Sequence, residues 1–259
     1  LVASWNPEFV ITLGDNNYET GSATTIGQNI GQYYHAFIAP YTGSYGAGDT
    51  VNRFFPSLGN HDRPRIASRV GLAQARVAAM LLLTLRGTPT LYYGDEIGMH
   101  DVAISPEKVQ DPFEKNVPGR GLGRDPQRTP MQWNAAKNAG FTEGEPWLPI
   151  AEDYAQVNVE AERDDPDSML TLYNQLIKVR RGESALEVGQ FEPMDADGDL
   201  LTYVRRDRES AFLIALNLGL QQQVINFSNK ASEGRNVLST YLDRGGEHDD
   251  SRRGLRIHR

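Results

Sequence analysis

The sequence predicts an α/β fold, in which a small parallel sheet with flanking helices is followed by a small antiparallel β domain. Up to residue 186, short apolar runs rich in β-forming residues alternate with longer apolar runs of helical spacing. From residue 187 onward, apolar and polar residues alternate, which is typical of antiparallel strands. The chain has 259 residues, of which 39% are hydrophobic and 23% charged, as expected of a globular protein.

Three short strands are predicted for the parallel sheet, at residues 8–13, 53–58 and 89–93. The first lies in "EFVITLGD", an apolar run that ends at Gly-Asp. The second contains Pro56, which favours an edge or the start of a strand. A helix between the first two would complete a right-handed βαβ unit. We expect the open side of so small a sheet to expose edges and apolar faces, and therefore expect marginal stability.

Helical spacing of apolar residues predicts helices at residues 25–38, 68–86 and 166–181. Pro40 follows the first helix as a stop signal, and Gly87 follows the second. Between the second and third helices, residues 100–164 are irregular and hold seven of the 14 prolines. A loop of this length is usually either functional or disordered.

Three antiparallel strands are predicted near the end of the chain, in "DLLTYVRR", "SAFLIALNL" and "QQVINF". The net charge of −8 and the pI of about 5.2 argue against nucleic acid or an anionic membrane as a partner. The absence of cysteine excludes disulfides and thiolate metal sites, and leaves the cellular compartment undecided. The apolar run "VAAMLLLTL" is half the length that a membrane span needs, and the start "LVASWNPEFV" resembles the middle of a longer protein more than a signal peptide.

Charge and aromatic residues are unevenly distributed along the chain. Residues 1–62 contain one basic residue, Arg53, while the other 25 lie in residues 63–259. Ten of the 23 aromatic residues also fall within residues 1–62. This asymmetry predicts a seam in the chain near Asp62.

Two polar motifs follow the first two predicted strands, Gly14-Asp15-x-x-Tyr18 and Gly59-Asn60-His61-Asp62. Carboxylate, phenol, amide and imidazole groups are ligands for hard or borderline metals. On these motifs, residues 1–62 resemble the purple acid phosphatase branch of the calcineurin-like metallophosphoesterases. The resemblance implies two divalent or Fe/Zn-type metals, with Asp15 bridging them, Tyr18 and Asn60 each binding one of them, and His61 contacting phosphate.

That metal site is expected to be incomplete. The family's motif before Asp15 and its later His-x-His motif are not found in the sequence. Metal affinity requires a sufficient set of ligands, so the alternative is that Asp15 caps a turn and Asn60 hydrogen-bonds the backbone.

From residue 59 onward the sequence has a different character, seen in "GNHDRPRIASRVG", "GTPTLYYGDEIGM" and "VQDPFEKNVPGRGLGRDPQRTPMQWN". These motifs resemble the α-glucosidases of the α-amylase superfamily, glycoside hydrolase family 13. The resemblance implies a partial TIM-barrel-like parallel sheet with flanking helices at residues 59–186. It implies a small antiparallel β-sandwich at residues 187–259, which is expected to be truncated. With residues 1–62 as a metallophosphoesterase-like part, the chain is expected to be a chimera joined at "LGNHD", residues 58–62.

The same resemblance implies roles for particular residues. His61 would bind hydroxyl groups of the sugar in the −1 subsite, and Asp62 would stabilise the oxocarbenium-like transition state. Arg124 or Arg128 would close the −1 pocket by pairing with an acid from an early strand. The alternatives are a hydrogen-bonded loop end for His61 and Asp62, and plain solvation for the two arginines. Asp95 and Glu96 are expected to be architectural.

The implied activity is hydrolysis of terminal α-linked glucose in an α-glucoside or malto-oligosaccharide, without a cofactor. The resemblance to these glycosidases slightly favours a cytoplasmic location. Retaining glycosidases need a nucleophile and an acid/base about 5–5.5 Å apart. The family's motifs for both groups are absent from the sequence, so little or no turnover is expected. Three hypotheses remain open: a descendant of an α-glucosidase, a truncated metallophosphoesterase, and a chimera without activity.

Overall fold

The computed structural model describes residues 10–12, 44, 47, 54–56, 62–121, 123–194, 198–225, 233–243, 248–250 and 255–257. The predicted helix at residues 25–38 lies outside these residues. Contacts within the chain define two compact units. One comprises residues 1–62 and 87–90, and the other comprises residues 63–86 and 91–259. The domain boundaries at residues 59, 62 and 186–187 stay predictions.

The first unit contains two strands, β1 (Val10–Thr12) and β2 (Phe54–Pro56), which pair in parallel. Val10 lies opposite Phe54, and Thr12 lies opposite Pro56. The two predicted strands and their parallel direction are therefore confirmed. Pro56 is the last residue of β2, an edge strand of this described two-stranded sheet, where a missing backbone N–H is tolerated.

The third predicted strand, at residues 89–93, is wrong. Residues 88–92 form no ladder, and a turn begins at Tyr93. A β-rich sequence becomes a strand only where a neighbour supplies ladder hydrogen bonds. Here the segment is divided between the two units at residue 90, and tyrosine side chains fix its second half to a loop.

The second unit begins with helix α1 (Ile66–Thr84), which confirms the predicted helix at residues 68–86 with slightly earlier bounds. Gly71 interrupts the helix with φ 77°, a left-handed conformation that glycine adopts without steric cost. With 19 residues and a mean hydropathy of 1.4, α1 is long and apolar enough to cross a membrane. Its buried face, including Ala75, Ala79 and Leu83, packs within the protein.

The irregular region at residues 100–164 contains two short helices, α2 (Pro112–Asn116) and α3 (Val159–Arg163). Single 3₁₀ turns at Pro106–Lys108, Asp125–Gln127 and Lys137–Gly140 make up most of the remaining regular structure. Buried residues such as Met131 and Leu148 show that this region packs against the protein. It is irregular, as predicted, but it is built around its own buried side chains.

Two further helices follow, α4 (Met169–Gly182) and α5 (Ser184–Glu187). The predicted helix at residues 166–181 is confirmed, but it starts later because Ser168 is the N-cap. The Ser168 hydroxyl accepts the Thr171 N–H at 3.0 Å. Leu172, Tyr173 and Leu176 then pack against the buried face of α1.

The chain ends in antiparallel sheets. β3 (Gln190–Pro193), β4 (Leu200–Arg206) and β5 (Ala211–Asn217) form one sheet in that order. Two smaller pairs join β6 (Gln223–Ile225) to β9 (Leu255–Ile257) and β7 (Glu233–Arg235) to β8 (His248–Asp250). The three predicted strands are confirmed as β4, β5 and β6. Their assembly into a sandwich stays a prediction.

Two arginines connect the last turn of α1 to α4 and to β4 through hydrogen bonds. Arg180 of α4 donates to the carbonyls of Leu83 and Leu85 at 2.8 and 2.9 Å. Arg205 of β4 is fully buried and donates to the Thr84 carbonyl at 2.6 Å. Burial and the nearby Arg180 charge lower the pKa of Arg205 to about 10, so it stays cationic near neutral pH. Carbonyls that a helix end leaves unsatisfied thus receive charged donors.

Replacing Arg205 with methionine is expected to lower the free energy of unfolding by about 2–3 kcal/mol, because the Thr84 and Gly189 carbonyls lose a buried donor. Urea unfolding of Arg205→Met against wild type measures this change. Arg208→Met, at an exposed site in the following turn, is the matched control and should change stability by less than about 0.5 kcal/mol. Equal effects from the two substitutions would contradict the assigned role.

Glu162 predicts a pH dependence of stability. Burial raises the pKa of Glu162 to about 7, although its carboxylate accepts the Leu170 N–H at 3.0 Å. The folded state therefore binds this proton more tightly than the unfolded state does. Stability should fall as pH rises from about 4.5, the ordinary glutamate value, through about 7.

Glu162→Gln removes the ionisation but keeps an oxygen that can accept the Leu170 N–H. We expect this variant to be more stable than wild type at pH 8, with the difference shrinking toward pH 5. Urea unfolding at both pH values measures it, and Glu160→Gln, at an exposed position of the same helix, is the control. A wild-type advantage at pH 8 would show that the sign is wrong.

Candidate functional site

The predicted site residues divide into two groups. Asp15, Tyr18, Asn60 and His61 lie outside the residues that the structure describes. Asp62 is described and is half-buried at the end of the first unit. Arg124 and Arg128 lie in the irregular region of the second unit, where the geometry around each can be compared.

The start of α1, which follows Asp62 by four residues, is held by two carboxylates from a distant loop. Asp101 accepts the Arg65 N–H at 2.9 Å, and Asp95 accepts the N–H of Ile66. The first turn of α1 contains no acidic residue, and the side chain of Arg65 at the N-cap forms no capping hydrogen bond. Asp95 and Asp101 therefore supply the acceptors that the first amides of a helix require.

The Arg65 side chain is 1% exposed and lies against the same loop. Its Nη1 donates to the Tyr93 carbonyl at 2.5 Å. Its guanidinium carbon lies 5.0 Å from the centre of the Tyr92 ring and 4.8 Å from that of Tyr93, which are cation–π distances. A side chain at Gly94 would meet Arg65, since its Cβ would lie 2.7 Å from Nη1, so this close approach requires glycine.

Asp95 is a buried carboxyl group beside this arginine. Burial raises its pKa to about 6, while the Arg65 charge opposes the rise. One of its oxygens, Oδ1, has no hydrogen-bond partner. Since the group accepts the Ile66 N–H, its role at the start of α1 is architectural, in keeping with the prediction.

Arg124 pairs with an acid inside its own loop. Its Nε lies 2.7 Å from Oδ2 of Asp111, and its own N–H donates to the same oxygen at 2.9 Å. This pairing holds the pKa of Asp111 at about 2, and Asp111 also caps α2 through the Phe113 N–H. Arg124 is therefore paired rather than simply solvated, while its predicted role in the −1 pocket and a partner from an early strand stay predictions. The guanidinium group of Arg124 pairs within its own loop because folding brings Asp111, 13 residues earlier in the chain, beside it.

Arg128 is half-buried, and the backbone on both sides of it is fixed. The Tyr92 hydroxyl donates to the Gln127 carbonyl, and the Tyr93 hydroxyl donates to the Thr129 carbonyl, each at 2.8 Å. Arg128 also donates its own N–H to the Asp125 carbonyl at 3.0 Å. The peptide that carries this guanidinium group is therefore held at three points.

The role of the two tyrosines was not predicted, because the sequence pattern places them in a strand. Consecutive residues of a strand point to opposite faces, whereas the rings of Tyr92 and Tyr93 contact each other with centroids 4.8 Å apart. Both hydroxyls reach one loop and both rings contact Arg65. The signal in the sequence is the pair of adjacent tyrosines just before the Gly-Asp turn. In a strand, adjacent side chains point to opposite faces, so both hydroxyls could not reach one loop.

Within the described ranges, no group of three or more His, Asp or Glu side chains is placed to hold a metal ion. The residues predicted to bind metal all lie outside those ranges. The described geometry therefore provides a fixed arginine loop and a capped helix start, and it offers no test of the metal hypothesis.

Replacing Asp101 with alanine is expected to lower the free energy of unfolding by about 1–2 kcal/mol, because the N–H of the N-cap residue Arg65 loses its acceptor. Thermal or urea unfolding of Asp101→Ala measures this loss. Glu143→Ala, at an exposed position in the loop, is the control. An Asp101→Ala protein as stable as the control would show that the cap is unimportant.

Comparison with known proteins gives a family match that spans most of the chain. The model of the family described as "Alpha amylase, catalytic domain" matches residues 15–189. Glucan 1,6-alpha-glucosidase of Streptococcus pneumoniae serotype 4 is 36% identical over 208 residues, covering 71% of this chain and 38% of that protein. Maltase A1 of Drosophila melanogaster is 37% identical over 192 residues, covering 71% and 33%. A mouse protein named as the amino acid transporter heavy chain SLC3A1 is 34% identical over 213 residues, covering 81% and 29%.

Two solved structures that resemble this chain are also carbohydrate-active enzymes by name. Isomaltulose synthase from Klebsiella sp. LX3 superposes with a TM-score of 0.68 at 27% identity, covering 78% of this chain and 41% of that one. Isomaltulose synthase SmuA from Protaminobacter rubrum gives a TM-score of 0.69 at 28% identity, covering 80% and 42%. The chain thus spans about two fifths of the length of the solved relatives.

These matches bear on the predicted metallophosphoesterase-like part at residues 1–62. The family match begins at residue 15 and passes through the predicted seam at residues 58–62. The comparisons give no support to a metallophosphoesterase portion or to a chimera. The uneven charge that predicted a seam therefore does not mark a change of family.

Proposed function

The chain belongs to the α-amylase catalytic-domain family, and we propose that it carries the sugar-binding and charge-stabilising part of an α-glucosidase-type glycoside hydrolase. The substrate class is a terminal α-linked glucose in an α-glucoside or malto-oligosaccharide. The observation that carries the proposal is the family match across residues 15–189, together with relatives named as glucan 1,6-alpha-glucosidase and oligo-1,6-glucosidase. No cofactor is required, since carboxyl groups supply the nucleophile and the proton in such reactions.

Asp62 is proposed as the carboxylate that stabilises positive charge on the sugar ring in the oxocarbenium-like transition state. Its half-buried position suits this role, because a carboxylate partly removed from water interacts more strongly with a nearby positive charge. Asp101 holds the N–H of Arg65, three residues later, and so limits movement of the backbone that follows Asp62. His61, its neighbour in the chain, is proposed to bind sugar hydroxyl groups.

Arg128 is proposed, in preference to Arg124, as the arginine of the −1 pocket. Arg124 holds Asp111 in a charge-assisted pair, and removing it from that pair would leave a buried carboxylate without its main partner. Arg128 has a fixed backbone and a half-buried side chain. A guanidinium group on a fixed backbone loses little conformational entropy on binding a substrate or an acid.

Hydrolysis itself needs a separate test. The sequence predicts that the family's nucleophile and acid/base motifs are missing, so we expect little or no turnover by this chain. One of the relatives is named as a transporter heavy chain, so membership of the family does not by itself establish hydrolysis. Release of p-nitrophenol from p-nitrophenyl α-glucoside above background would overturn the expected inactivity.

The proposed sugar site is tested with 1-deoxynojirimycin, an iminosugar that becomes cationic and so mimics the charge of the transition state. We expect the purified chain to bind it in isothermal titration calorimetry, and Asp62→Asn to weaken binding on the order of tenfold or more, because a charge-assisted contact is lost. Asp164→Asn, at an exposed position, is the matched control.

Two outcomes would contradict the proposed function. One is the same affinity in Asp62→Asn as in wild type. The other is metal-dependent hydrolysis of p-nitrophenyl phosphate that is abolished by a chelator, since this would favour the phosphoesterase interpretation of Asp15, Tyr18 and Asn60.

A further inference from the structure

We propose that Tyr92, Tyr93 and Arg65 form a positioning unit that holds the Arg128 loop and the start of α1 in one fixed arrangement. The geometry of this unit follows from contacts given above. Its effect on sugar binding rests on the proposed function. None of the three residues needs to touch the sugar. They are positioning residues, which act through Arg128.

The first step is the contact between the tyrosine hydroxyls and the arginine loop. The two hydroxyls donate to the carbonyls on either side of Arg128, at 2.8 Å each. Burial raises the pKa of the Tyr92 hydroxyl well above its ordinary value, so it remains protonated, and therefore remains a donor, at neutral pH. Because both flanking carbonyls are held, the peptide of Arg128 cannot turn without breaking at least one of these bonds.

The second step is the contact between the tyrosine rings and α1. The Arg65 guanidinium group lies within 5.0 Å of both ring centres and donates to the Tyr93 carbonyl. Since Arg65 is the N-cap residue of α1, its backbone is also fixed, through Asp101. The tyrosine hydroxyls therefore contact the loop that carries Arg128, and the tyrosine rings contact Arg65 at the start of α1.

The third step concerns charge. Burial raises the pKa of Tyr92, and the positive charges of Arg65 and Arg128 act on the same phenol in the opposite direction. Two cations near one phenol repel each other, and the two tyrosine rings give the Arg65 guanidinium group a favourable cation–π contact.

As a consequence, the backbone of Arg128 is held in one position before any sugar binds. A binding group that is held in place before the ligand arrives loses less conformational entropy on binding. Loss of the two hydroxyls should therefore weaken binding at the sugar site, while the tyrosine rings continue to pack against Arg65.

The test uses the double variant Tyr92→Phe/Tyr93→Phe, which removes both hydroxyls and keeps both rings. Hydrogen–deuterium exchange of the full chain is followed by mass spectrometry. We expect exchange in residues 125–131 to accelerate on the order of tenfold, because two hydrogen bonds that close this loop are gone. Exchange in α4 should be unchanged.

Tyr203→Phe is the matched control. It also removes one buried tyrosine hydroxyl with a hydrogen bond, at 2.6 Å to Thr84, but on β4. It should lower stability without changing exchange in residues 125–131. Arg65→Lys and Arg65→Met extend the test: lysine retains the charge and should retain part of the iminosugar affinity, whereas methionine should lose it.

The outcomes separate the inference from the proposed function. Unchanged exchange in residues 125–131 of the double variant overturns the positioning unit, whatever the iminosugar affinity. Accelerated exchange together with no iminosugar binding by wild type supports the positioning unit and overturns the proposed function. Accelerated exchange with tenfold weaker binding supports both, and accelerated exchange with unchanged binding overturns the role of the unit in the sugar site.

Discussion

The second unit depends on the way in which helix α1 is capped at both ends by side chains from elsewhere in the chain. A helix leaves amides unsatisfied at its start and carbonyls at its end. α1 has no acidic residue in its first turn and no basic residue in its last, so it cannot supply these partners locally. Asp95 and Asp101 serve the start, and Arg180 and Arg205 serve the end.

This capping links the loop around Arg128 to the rest of the second unit. The partners at the end of α1 come from α4 and β4, so the helix, its neighbour and the antiparallel sheet share one polar junction. The partners at its start come from the loop that also carries Tyr92 and Tyr93. The loop around Arg128 is thereby connected to the core through hydrogen bonds and ring contacts, although it contains almost no regular structure itself.

Periodicity in the sequence was sufficient for the elements that bury one face. α1, α4, β4 and β5 each carry a regular apolar pattern, and each formed where that pattern predicted it. The segment at residues 89–93 failed because a strand needs a partner, and an apolar run does not reveal whether one is present. The local partners of Arg124 and Arg128 were equally inaccessible, since Asp111 and the two tyrosine hydroxyls reach this loop only after folding.

The division at Asp62 shows how packing and ancestry can differ. Charge and aromatic content change near this residue, and the contacts of the chain also divide there. The family match nevertheless continues without a break from residue 15 to residue 189. A boundary between compact units records which residues touch, whereas a family match records common descent, so the first cannot establish a chimera. What the boundary does establish is local: Asp62 is followed within three residues by a backbone that Arg65 and Asp101 hold in place.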